Sequence, residues 1–120
     1  DWKTKGMTEI LNGRTGQVMP VGKVVYEDAL ENADRVIALN RVENLHIPSL
    51  FIHAKGDESV PYNEAEKLYR SSPSADKEIK LVPESGHTFG GAHPFEDEEF
   101  PPALEDVVDA TNNWFQYYLQ

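Results

Sequence analysis

Three observations predict an α/β fold. Two short apolar segments, residues 47–54 and 78–83, each run into a turn. A helix-like stretch of 61–71 lies between them, and a long amphipathic segment closes the chain at 103–119. Strand–helix–strand–loop–helix is the order of a βαβ unit followed by a final helix, with the two strands parallel.

Each element has its own signal. Residues 1–25 are punctuated by Gly6, Gly13, Gly16, Pro20 and Gly22, so short extended pieces and turns are expected there rather than a helix. Tyr26 to Asn44 reads as helix in two parts. Ala29, Leu30 and Ala33 mark the first, and Val36, Ile37, Leu39 and Val42 the second, with Asn40 and Asn44 as weak points. Residues 47–54 (I-P-S-L-F-I-H-A) suit a strand buried on both faces, with Pro48 at its start, where no ladder donor is needed. Asn63 with Glu66 three residues on approximates a capping box for the helix that follows. Residues 78–83 (E-I-K-L-V-P) form the second strand, and 84–102 a long loop rich in Gly, Pro and acid. In the last segment Leu104, Val107, Val108, Thr111, Trp114, Phe115, Tyr118 and Leu119 recur at three-four spacing, the stripe of an amphipathic helix.

Composition narrows the function. Apolar residues make up 39% and charged residues 27%, which excludes a disordered chain even at a mean hydropathy of -0.55. Cysteine is absent, so disulfides and thiolate metal sites are excluded. A net charge of -10 argues against nucleic acid or an anionic membrane as partner, since both need clustered Lys and Arg. No apolar run reaches the length of a bilayer span. The 120 residues suffice for one domain, yet two strands do not make a stable parallel sheet. The visible elements therefore read as one edge of a larger sheet. The opening Asp1-Trp2-Lys3, without Met or a signal pattern, likewise reads as a piece of a longer chain and leaves the compartment open.

Two loops stand where α/β folds place their sites, at the C-terminal ends of strands. They are Gly56-Asp57-Glu58-Ser59-Val60-Pro61 and Gly86-His87-Thr88-Phe89-Gly90-Gly91. If the strands are adjacent and parallel, Asp57 and His87 emerge at one sheet edge. A carboxylate there can hydrogen-bond the imidazole, fix its tautomer and stabilise the imidazolium. Taken alone, Asp57 could equally be a turn former and His87 an ordinary loop histidine. His53 reads as a packed histidine inside its strand, and His46 and His93 as exposed. His87 and His93, with Glu84 and the acids Glu96 to Glu99, lack any metal-ligand or calcium-loop spacing and read as a solvated run. Lys3 and Arg14 read as surface charge. Trp2, Met7, Val18 and Met19 suit either an acyl-pocket cap or packing against a core.

The string I-P-S-L-F-I-H-A-K-G-D-E-S-V-P resembles the acid-bearing strand and loop of α/β-hydrolases, with Asp57, Val60 and Pro61 in the Asp-x-x-Val-Pro positions. L-V-P-E-S-G-H-T-F resembles that family's final strand and its Gly-His, with His87 on the histidine. The flavour H-T-F-G-G-x-H-P-F is similar to dienelactone-hydrolase-like and prolyl-oligopeptidase-like esterases. The resemblance covers residues 46–119. It implies that 46–120 is the C-terminal βαβ–α part of the fold and that 1–45 is the variable, cap-like excursion before it. It also implies Asp57 and His87 as the acid and base of a Ser-His-Asp triad, with no cofactor and no metal.

The family's nucleophile elbow, G-x-S-x-G, is missing. Before Asp57 the only serine is Ser49, which has no glycine frame. The expectation is a C-terminal fragment of a serine hydrolase, the nucleophile half lying elsewhere, that acts on a small-molecule ester or acyl substrate. A prolyl-oligopeptidase-type peptidase and a non-catalytic interaction module on a degenerate scaffold are the alternatives. The 120 residues alone are expected to be inactive, and to self-associate through the uncovered strand.

Overall fold

The computed structural model describes residues 2–120, apart from the side chain of Lys3. It divides into two compact units, one ending at Arg41 and one running from Val42 to Gln120.

In the first unit a short helix α1 (Trp2–Lys5) leads into an antiparallel hairpin of β1 (Met7–Leu11) and β2 (Val18–Gly22). The glycines and Pro20 hide two five-residue strands here. Asn12 organises the turn, its Oδ1 accepting from the Arg14 and Thr15 amides at 3.0 and 3.3 Å. Gly16 takes the left-handed conformation, φ 70°, that the turn requires. Trp2 Nε1 donates to the Val21 carbonyl at 2.7 Å and ties α1 to the hairpin. Three helical pieces follow rather than two: α2 (Lys23–Glu31), α3 (Ala33–Val36) and α4 (Ala38–Val42). The breaks fall at Asn32, whose Nδ2 donates back to Asp28 Oδ1, and at Ile37, whose backbone is extended. Asn40 lies inside α4 and interrupts nothing.

The second unit is built on two parallel strands, β3 (Ser49–Ala54) and β4 (Lys77–Val82), paired in register from Ser49↔Lys77 to Ala54↔Val82. Helix α5 (Asn63–Ser71) connects them, and α6 (Pro102–Tyr118) ends the unit. The strands begin near the expected positions: β3 starts at Ser49, two residues after Ile47, and β4 at Lys77, one before Glu78. Alternation divides the sheet into two faces. Phe51 packs edge-on against Tyr69 of α5, and Lys77 reaches the same helix. On the other face, Lys80 forms an ion pair with Asp106 of α6 at 3.0 Å. Helices thus cover both faces, as a parallel sheet demands. Within β3 only Ala54 is fully buried, because two strands and two helices shield less surface than a wide sheet. In α6, Leu104, Val107, Thr111, Trp114 and Tyr118 are half-buried, whereas Val108, Phe115 and Leu119 are exposed.

The cap of α5 differs from expectation. Tyr62 occupies the cap position and makes no side-chain cap bond, so Asn63 with Glu66 forms no capping box. The chain enters the helix through a turn in which Pro61 accepts from the Glu64 amide. At the other end Lys77 Nζ donates to the Tyr69 and Ser72 carbonyls at 2.8 and 2.9 Å and lies 4.7 Å from the Tyr69 ring centre. A cation is favourable at a helix C-terminus, where carbonyls lack partners. Lys77→Met should therefore cost about 1–2 kcal/mol, read from the urea midpoint; an unchanged midpoint would show that water serves those carbonyls equally well.

Candidate active site

The ends of β3 and β4 are joined beyond the sheet. Lys55 N donates to Val82 O, and Gly56 N to Ser85 O, both at 2.9 Å. A Cβ on Gly56 would lie 2.7 Å from the Ser85 carbonyl oxygen, closer than any real Cβ contact, so only glycine fits. Glu84, with φ 51°, turns the chain after β4 so that Ser85 meets Gly56. A left-handed non-glycine residue costs roughly 1–2 kcal/mol, which the surrounding contacts must offset.

This junction places Asp57 and His87 side by side. His87 Nδ1 donates to Asp57 Oδ2 at 2.7 Å. Asp57 Oδ1 accepts from the Ser59 and Val60 amides at 2.9 and 2.8 Å, folding the loop around the carboxylate. The Asp57 side chain is 3% exposed and that of His87 is 51% exposed. The Val60 amide above all, with His87 and the Ser59 amide, holds the Asp57 carboxyl below its ordinary range, against the opposing effect of desolvation. With Nδ1 donating, the other ring nitrogen of neutral His87 carries a lone pair. The arrangement can therefore accept a proton at His87 while a fixed carboxylate stabilises the resulting imidazolium.

A third residue belongs to the cluster. His53 Nε2 lies 2.8 Å from the Val60 carbonyl and 3.3 Å from Asp57 Oδ2. Its side chain is 15% exposed, so it is packed as the strand pattern suggests, but it also reaches the loop. A histidine near the end of a strand, four residues before a loop carboxylate, was the available signal. His46 and His93 are exposed and stand apart from the cluster. Arg14 is exposed on the hairpin turn, and the Lys3 side chain lies outside the described residues. Met7 and Val18 are exposed, whereas Trp2 and Met19 are half-buried. Among the described residues, no group of three or more His, Cys, Asp or Glu could hold a metal ion. No helix among them is long and apolar enough to cross a membrane. A cleft of about 570 Å³ lies beside the His87 loop, lined by Val82, Pro83, Phe89, Pro101 and Ala103 among others.

The family described as serine aminopeptidase, S33, matches residues 24–91, more than half of the chain. The chain belongs to this family. Both Asp57 and His87 fall inside the matched segment. A crystal structure of a protein from Agrobacterium vitis S4, named as a hydrolase, is similar over 94% of the chain, with a TM-score of 0.65 and 20% identity. The chain spans 38% of that protein's length. No curated protein matches it in sequence. The architecture is that of part of an α/β-hydrolase fold: two parallel strands with flanking helices, as the sequence predicts.

Two outcomes follow from the geometry. Gly56→Ala should push Ser85 away, costing about 1–3 kcal/mol and lengthening the Asp57–His87 bond; wild-type stability in a denaturant titration would contradict the close approach. Because the folded state depresses the Asp57 carboxyl, the unfolded chain takes up its proton first on acidification. The stabilisation is complete above pH about 4 and is lost as pH falls through the lower folded-state value. Asp57→Asn should accordingly flatten the acid side of the stability profile; an acid limb as steep as that of the wild type would assign the effect to other carboxylates.

Proposed function

We propose that these residues carry the acid and base of a serine hydrolase that cleaves carboxylic esters. The 2.7 Å bond from His87 Nδ1 to a buried, depressed carboxylate carries the reading. In this reading a serine outside the 120 residues attacks the acyl carbonyl. His87 takes the serine proton and returns it to the leaving alcohol. Asp57 orients the ring and balances its charge. Backbone amides outside the chain bind the oxyanion. The substrate is a small-molecule ester or acyl compound, and residues 1–45 are a variable, cap-like excursion. The H-T-F-G-G-x-H-P-F segment, similar to dienelactone-hydrolase-like and prolyl-oligopeptidase-like esterases, supports the ester reading without separating it from a peptidase.

A peptidase is the second reading, favoured by the description of the matched family as serine aminopeptidases. Aryl esters and aminoacyl amides offered side by side to the full-length protein decide between the two. In either case His87→Ala should lower kcat by about 10⁶-fold and Asp57→Asn by about 10⁴-fold, and both should slow labelling by a fluorophosphonate. Turnover that survives both substitutions would remove these residues from the mechanism. A protein that hydrolyses neither class and takes no label would instead be a non-catalytic member of the scaffold.

A further inference from the structure

We propose that His53 is a positioning residue, which holds the Asp57 loop by donating its Nε2 proton to the Val60 carbonyl. A carbonyl oxygen only accepts, so the 2.8 Å contact fixes Nε2 as the protonated nitrogen of His53. Val60 is then held at both ends. Its amide donates to Asp57 Oδ1 at 2.8 Å, and its carbonyl accepts from His53. The same N–H lies 3.3 Å from Asp57 Oδ2, the oxygen that receives His87, and adds a favourable dipole there.

The anchor is rigid. His53 is the fifth residue of the six-residue strand β3, pairs with Leu81 of β4, and is largely buried. Two elements therefore aim one carboxylate. Gly56 sets the approach of the loop to Ser85, and His53 sets where the loop closes at Val60. Without the His53 N–H, residues 57–60 keep the bonds within the loop, the long 3.3 Å bond from the Asp57 amide to the Ala54 carbonyl and the His87 contact itself, and among the described residues nothing ties the loop to β3 at Val60. The carboxylate would then no longer be held at the distance that fixes the His87 tautomer. A misplacement of about 1 Å can cost about 10²-fold in rate.

The catalytic consequence rests on the hydrolase reading; the loop-holding geometry does not, and the two are read separately. The first readout is the ring ¹⁵N spectrum of the full-length protein labelled at histidine, at neutral pH. His53 should carry its proton on Nε2, and His87 should show a slowly exchanging, downfield Nδ1 proton. A His53 found as the Nδ1-protonated tautomer overturns the proposal in the wild-type protein, with no variant needed. The second readout is a substitution series. In His53→Gln the side-chain amide reaches the position of Nε2 and should retain the His87 signal, with kcat within about threefold of wild type. His53→Asn is too short and His53→Phe has no donor. Both should lose the downfield signal and about tenfold or more in kcat, with KM little changed. If all three keep the signal and the rate, or all three lose them equally while folded, His53 is a packing residue and the proposal fails. A wild type with the expected ring signals but no turnover of esters or amides would overturn the hydrolase reading alone, leaving the His87 signal to decide whether His53 holds the pair.

Discussion

The close approach of Gly56 to Ser85 is the constraint on which the rest of the site depends. The register of β3 and β4 continues past both strands through the Lys55–Val82 and Gly56–Ser85 bonds, leaving no room for a side chain at residue 56. Asp57 follows the junction directly, and His87 lies two residues beyond Ser85. With tethers this short, the distance between the Asp57 carboxylate and the His87 imidazole is set by the sheet. The left-handed Glu84 makes the junction possible, and the bonds around it offset its strain.

The electrostatics divide the labour between the two partners. A buried carboxylate is costly unless its lone pairs are occupied. Asp57 meets that requirement with two amides on one oxygen and one imidazole N–H on the other, with a second imidazole N–H close by. These donors are already in place, so the carboxylate is fixed by the scaffold and needs no rearrangement to meet a charged ring. His87 is half exposed on its loop, where its ring is open to solvent. The depressed titration of Asp57 reflects this arrangement: the amides that shape the loop also keep the carboxylate ionised beside the imidazole.

Much of this was legible in the sequence, and the gaps have physical causes. The order of strand, helix and strand, the long final helix and the meeting of Asp57 with His87 follow from apolar runs, turn signals and the topology of parallel strands. The extended pieces and turns of residues 1–25 follow from the glycines and Pro20, but neither their pairing as the β1–β2 hairpin nor the short helix α1 before it does, because strands of five residues and a helix of four are too short to show a period. Asn63 was misjudged as a cap because the helix starts through the turn at Pro61 and Tyr62, whose geometry is not written in the residue type. The exposed flank of α6 arises because the three-four stripe is wider than the face the sheet covers. His53 was placed correctly in its strand, but periodicity reports which face a side chain takes and not which loop folds back to it.

Among the described residues, the bonds that fix Asp57 against His87 lie between residues 53 and 87, within a single βαβ unit. Such a unit orients its two strand-end loops through its own register, crossover helix and junction. The Asp57–His87 contact is therefore set by bonds inside this unit. Gly56 and His53 act within that unit on one carboxylate, one through the junction at Ser85 and the other through the Val60 carbonyl.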